Sequence, residues 1–146
     1  MIKLFKILSL GIIIVFLNSC GGVPGTGGKN YSELKLEIPE NETIIFVGRK
    51  NRGYGSLATV KILLNGEDIG NLGIGEFLKR NISPGSHKVY AKQGSKMQWG
   101  TGEDSIAFVA QKGKAYFFIA DFEKKLLGGS WNIIETTLNG FEGSIY

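Results

Sequence analysis

Two turn signals close together constrain this chain more than anything else in it. They lie in Val60–Ala91, V-K-I-L-L-N-G-E-D-I-G-N-L-G-I-G-E-F-L-K-R-N-I-S-P-G-S-H-K-V-Y-A. Asn65-Gly66 stands between two apolar runs, and both central positions of a type I′ hairpin turn need positive φ, which these two residues supply most readily. Pro84-Gly85 marks a second turn, with Pro fixing its own φ and Gly free to take a positive one. Short strands must lie between and around such turns.

The same pattern extends in both directions. Leu34, Leu36 and Ile38 alternate with Glu33, Lys35 and Glu37, which predicts a half-buried strand ended by Pro39. Thr43–Val47 is apolar on both faces, as a central strand would be. Leu57–Leu64 puts Ala58, Val60, Ile62 and Leu64 on one face. Strands are also expected at Ile69–Leu72, Glu76–Ile82 and Ser86–Lys92, the last with His87, Val89 and Ala91 in phase. Ser105–Ala110 and Lys114–Phe122 read as a hairpin about Lys112-Gly113. Tyr116, Phe118, Ala120 and Phe122 then face one way, and Phe117 and Ile119 the other. Trp131–Thr137 is a last strand, and Asn139-Gly140 reads as the opening of a final hairpin to Tyr146. No amphipathic helix is expected. Eight or nine short strands at about ten-residue spacing predict an all-β antiparallel sandwich of about eight short strands rather than a bundle or an α/β sheet. Strands with two apolar faces leave no polar lumen side, which argues against a transmembrane barrel.

The N-terminus carries a different message. Met1–Lys6 holds two lysines and no acid, and Ile7–Leu17 is almost wholly apolar. That is a secretory signal, since its apolar run falls short of the roughly 20 residues a membrane span needs. Leu17-Asn18-Ser19-Cys20 follows at once and resembles the lipobox of bacterial lipoproteins. The resemblance implies diacylglycerol transfer to the Cys20 sulfur, cleavage before Cys20, and acylation of the new amine by a chain such as palmitate. One acyl chain binds a bilayer marginally at about 0.8 kcal/mol per buried CH₂, whereas two or three anchor stably. Gly21 rather than Asp after Cys20 implies outer-membrane delivery. Gly21–Asn30 is half Gly and reads as a flexible tether, with a root-mean-square reach of about 18 Å. The expected organisation is a cleaved signal peptide at 1–19, an acylated Cys20 with its tether to residue 30, and one domain over 31–146.

Composition narrows the function classes. The formal net charge is +4, but Lys3 and Lys6 belong to the expected leader, which leaves 15 basic residues against 13 acidic ones. That balance gives little support to a nucleic-acid stripe. With one Cys and one His, no intramolecular disulfide and no His-based metal cluster can form within the chain. No calcium-loop spacing is present, and no cofactor is expected. His87 is the sole candidate general base, yet no motif places a Ser or Cys nucleophile beside it. We expect it to be partly buried and bonded to backbone, and the chain not to be an enzyme.

Leu63-Leu64-Asn65-Gly66-x-x-Ile69-Gly70, followed by Ile82-x-Pro84-Gly85-x-His87-x-Val89, resembles PEGA domains. More closely it resembles a related family of bacterial lipoprotein domains of unknown function. There an early strand ending in Arg, as Ile45–Arg49 does, precedes the same hairpins, and an aromatic strand follows a Lys-Gly turn, as at Gly113–Phe118. The PEGA-like pattern departs at Asn71-Leu72, where the repeat has Thr-Pro. The resemblance covers roughly Thr43–Phe122. It implies an immunoglobulin-like or transthyretin-like β-sandwich in the cell envelope and carries no catalytic residues across.

Contact residues are sought in loops, which a sandwich presents at its two ends. Arg49, Lys50, Arg52 and Tyr54 form a basic loop with one aromatic, suited to anionic headgroups or carboxylates. Met97 and Trp99 lie in a long aperiodic stretch, Gln93–Asp104, and Trp and Met are enriched at contact surfaces. Arg49, Arg52, Tyr54, Met97 and Trp99 are therefore the expected partner contacts, with Cys20 the site of lipid attachment. The expected function is a lipid-anchored envelope domain acting as a non-enzymatic interaction or accessory module. Its partner would be an envelope protein or a glycan. The alternative is a small-molecule or glycan-binding lipoprotein with a pocket near Trp99.

Overall fold

The computed structural model describes residues 28–30, 39–52, 58–94 and 102–146. The expected leader, Cys20 and the strand at residues 33–38 lie outside the described residues. The chain folds as an all-β sandwich of two sheets. One sheet has the order β1 (Lys29–Asn30), β5 (Glu76–Asn81), β2 (Ile44–Arg49), β8 (Ala115–Lys124), β9 (Gly129–Thr136). The other has the order β4 (Glu67–Leu72), β3 (Val60–Leu64), β6 (Gly85–Gln93), β7 (Asp104–Ala110). Eight strands of five residues or more, with the two-residue β1 at an edge, match the expected architecture.

β2 is central because its sequence allows it to be. All six of its residues are buried. Ile45 and Val47 face the other sheet and join Val60, Ile62, Leu72, Leu78, Val89, Ala91, Phe118 and Ala120 in the main core. Ile44 and Phe46 face outward into a second core. β8 divides the same way, with Phe118 and Ala120 inward and Phe117 and Ile119 outward, as its alternation predicts. β2 and β8 pair in parallel, from Ile44↔Ala115 to Arg49↔Ala120. β2 and β5 are antiparallel, with Val47 opposite Leu78.

The second core exists because a helix covers it. The expected final hairpin is instead helix α1 (Leu138–Ile145). Thr137 caps it, its hydroxyl accepting from the Gly140 N–H at 3.2 Å. Leu138, Phe141 and Ile145 fall on one helical face and pack on Ile44, Phe46, Phe77, Phe117 and Ile119. Gly48 makes this approach possible. A Cβ there would sit 2.7 Å from Ile145 Cγ2 and 2.9 Å from Phe141 Cε2. Burial of the apolar stripe outweighs the weak helix propensity of Gly140 and Gly143.

A second correction concerns Lys112-Gly113. The turn is present, but β7 and β8 do not pair across it. β7 pairs with β6, and β8 with β2 and β9, so the turn carries the chain from one sheet to the other. Phe108 and Phe118 consequently meet across the sandwich, with ring centroids 4.9 Å apart. The Tyr116 hydroxyl fastens the crossing by accepting from Gln111 N–H at 2.8 Å and donating to Val109 O at 3.2 Å. The tether reading also shortens. Lys29 and Asn30, its last two residues, pair with Phe77 and Glu76 of β5.

Candidate functional site

The ends of β2, β3, β6, β8 and β9 converge at one end of the sandwich, and the two expected contact loops arise there. Their flanks are joined directly, Gly94 N–H donating to Thr59 O at 2.8 Å. One loop follows Arg52, three residues beyond β2, and returns at Ala58. The other follows Gly94 at the end of β6 and returns at Gly102, which bridges to Ser130 of β9. Tyr54, Met97 and Trp99 lie outside the described residues.

Arg49 forms the floor between these flanks. Strand alternation after Ile45 and Val47 turns its side chain inward, leaving it 2% exposed. Its guanidinium donates to Ala58 O and, at 3.5 Å, to Leu72 O, and lies 5.1 Å from the Trp131 ring centroid. Trp131 in turn donates from Nε1 to Gln93 Oε1 at 3.0 Å. Burial pushes the Arg49 pKa down to about 10, opposed by the negative charge of Glu76. It therefore keeps its charge at neutral pH. Glu76 is itself buried and accepts from Gly73 N–H at 2.8 Å. This corrects the expectation for Arg49. It is a strut tying β2, β3 and β4 to the Trp131 ring, not a surface contact.

Arg52 keeps the expected exposure, at 56%, but is not isolated. It lies 3.6 Å from Asp121, which also binds Lys50 at 3.3 Å. Asp121 had no signal in the sequence, because only the register of β8 against β2 brings it to this loop. Trp131, Gln93 and Glu76 were equally silent as partners of Arg49, since all four come from different strands. Asn71 Oδ1 is buried near the same end, with no partner among the described residues.

His87 is at the opposite end and behaves as a clamp. Its Nε2 donates to Ser83 O at 2.7 Å, and its Nδ1 accepts from Asn65 Nδ2 at 2.9 Å. A carbonyl can only accept, which assigns the proton to Nε2. Its ring packs on Phe108, 5.7 Å between centroids. Both nitrogens are thus engaged with the two turns, as expected for a partly buried, backbone-bonded His. A cleft of about 390 Å³ lies at this end, lined by Asn41, Glu42, Thr43, Asn81, Ile82, Pro84 and Lys112. Among the described residues no group of three or more His, Cys, Asp or Glu is placed to hold a metal ion. No helix among them is long and apolar enough to cross a membrane.

Compared with protein-family models, curated proteins and solved structures, the chain finds no match.

Proposed function

We propose that this chain is a lipid-anchored cell-envelope β-sandwich, anchored through Cys20, and that it works as a non-enzymatic interaction module. One observation carries the second half of that reading. The flanks of the two loops that hold Tyr54, Met97 and Trp99 are hydrogen-bonded to each other at one end, Gly94 to Thr59, so both loops are rooted on one platform. A sandwich that presents its loops together offers a composite contact surface on a rigid base. The Arg49–Trp131–Gln93 assembly provides the rigidity beneath it. The lipobox supplies the location, with Cys20 acylated and the domain held at the outer membrane. The engagement of both His87 nitrogens in turn-holding bonds supports a role without catalysis.

The test is photo-crosslinking from Tyr54 and Trp99, one at a time, in the lipidated protein in its native envelope. A discrete adduct from either position, lost when that loop is scrambled, supports the module and identifies its partner. No adduct from either position, with the protein correctly lipidated, counts against the loop platform. The alternative, a small-molecule or glycan-binding lipoprotein with its pocket near Trp99, gains nothing from the cleft beside Pro84, which lies at the end opposite the roots of the Trp99 loop.

A further inference from the structure

The β8–β9 hairpin ends in Lys124-Lys125-Leu126-Leu127-Gly128. Leu126 is 101% exposed and Leu127 94%. Other exposed apolar residues, such as Val109 and Ile134, stand singly on strands, where exposure needs no explanation. Two adjacent, fully exposed leucines at a tip are different. A hairpin tip can turn inward to plug a core, and this one does not. It is closed on itself, Lys125 N–H donating to Gly128 O at 3.0 Å, and projects beyond the last core contact, Phe122 on Trp131.

The charge around the tip is mostly positive. Lys124 and Lys125 immediately precede the leucines, and Lys50 and Arg52 share Asp121 three residues before Lys124 on the same strand. Glu123, the carboxylate of the hairpin nearest the tip, accepts from Asn132 at 3.2 Å. Leucines next to lysines suit a bilayer interface, where the apolar ends enter the acyl boundary and the amines stay among anionic headgroups.

The position of the N-terminal strand points to the same surface. β1 pairs with Glu76 and Phe77, and Phe77 is level with Gly48, so β1 lies at the end of the sandwich toward which β8 runs. Four strand spacings separate β1 from β9, about 19 Å. The eight residue steps from Cys20 to Gly28 can span at most about 27 Å. An acyl group on Cys20 and the hairpin tip can therefore meet one bilayer together.

We propose that the Leu126-Leu127 tip is a second membrane contact, which docks the loop-bearing end of the domain onto an anionic bilayer beside the Cys20 anchor. The anchor half rests on the reading above; the tip half rests on the exposed leucines and the basic residues around them.

The test uses the full chain with acylated Cys20 in vesicles of phosphatidylcholine and phosphatidylglycerol. Leu127→Cys then offers a single free thiol for an environment-sensitive nitrobenzoxadiazole label, and Lys112→Cys labels the opposite end. The label at 127 should shift to the blue and be quenched by headgroup-depth nitroxide lipids, more weakly without phosphatidylglycerol. The label at 112 should remain water-like. A water-like label at 127 in anchored protein overturns the proposal. So does a blue shift that nitroxide lipids leave unchanged and that grows with protein density, which would place a second copy of the chain on the tip. Labelling of Cys20 itself would refute the anchor and not the tip. The Cys20→Ser chain with excess vesicles then decides: a quenchable shift at 127 upholds the contact, and its absence overturns it.

Discussion

Asn65 Nδ2 and His87 Nδ1 lie 2.9 Å apart, and this bond joins the two turns that define the chain's sequence signature. Asn65 also takes the positive φ of 53° that the turn requires, and its Oδ1 accepts from Lys88 N–H at 2.9 Å. The N-G and P-G-x-H elements are thus one structural unit. His87→Ala and Asn65→Gly should each destabilise the domain, with a coupling of about 0.5–1.5 kcal/mol in a double-mutant cycle measured by urea unfolding. Additive effects would mean that the bond contributes nothing.

Arg49 should be intolerant of change. Lys cannot span two carbonyls and stack on Trp131 as a planar guanidinium does. Arg49→Met removes the cation that attracts buried Glu76, and should cost about 3–5 kcal/mol in urea unfolding. Arg49→Lys should recover only part of that loss. The pH dependence has a definite sign. Its folded pKa of about 10 lies below that of the unfolded guanidinium, so the unfolded chain holds this proton more tightly. Below pH 10 the stability difference between wild type and Arg49→Met should stay flat. As the pH rises above 10 it should move in favour of wild type, because burial of the charge no longer opposes folding.

The helix offers a change in the stabilising direction. A Cβ at Gly143 meets nothing within 4 Å. Gly143→Ala should add about 0.5–1 kcal/mol, seen as a rise of a few degrees in Tm. Thr137→Ala should lose about 1 kcal/mol with its cap. Calorimetry on the two variants checks both.

Tyr116→Phe tests the sheet-to-sheet crossing. Loss of the hydroxyl frees Gln111 N–H and Val109 O together, and should cost about 1–2 kcal/mol. Hydrogen exchange should quicken at Gln111 more than at residues of β6.

These elements also show what a sequence of this kind discloses. β2 and β8 were legible because burial on two faces and on alternating faces leaves different apolar patterns. Asn65-Gly66 was legible because few residue pairs accept positive φ in succession. The crossing at Gly113 was not, since a turn between two apolar strands reads alike whether it closes a hairpin or spans two sheets. Helix α1 was hidden by its glycines, and its stability comes from Phe46 and Phe117, far away in the chain. Arg49 read as a loop residue because it follows Gly48. Only its distant partners, Ala58 just before β3, Leu72 on β4 and Trp131 on β9, make an inward Arg stable. Of the expected contacts, Arg52 is exposed, and Tyr54, Met97 and Trp99 lie outside the described residues.

Mass spectrometry of the N-terminal peptide from membrane-purified protein tests the central claim most directly. The account predicts a mature chain that begins at Cys20, with a diacylglyceryl thioether on its sulfur. A chain that retains Met1, or that begins at an unmodified Cys20, would contradict it.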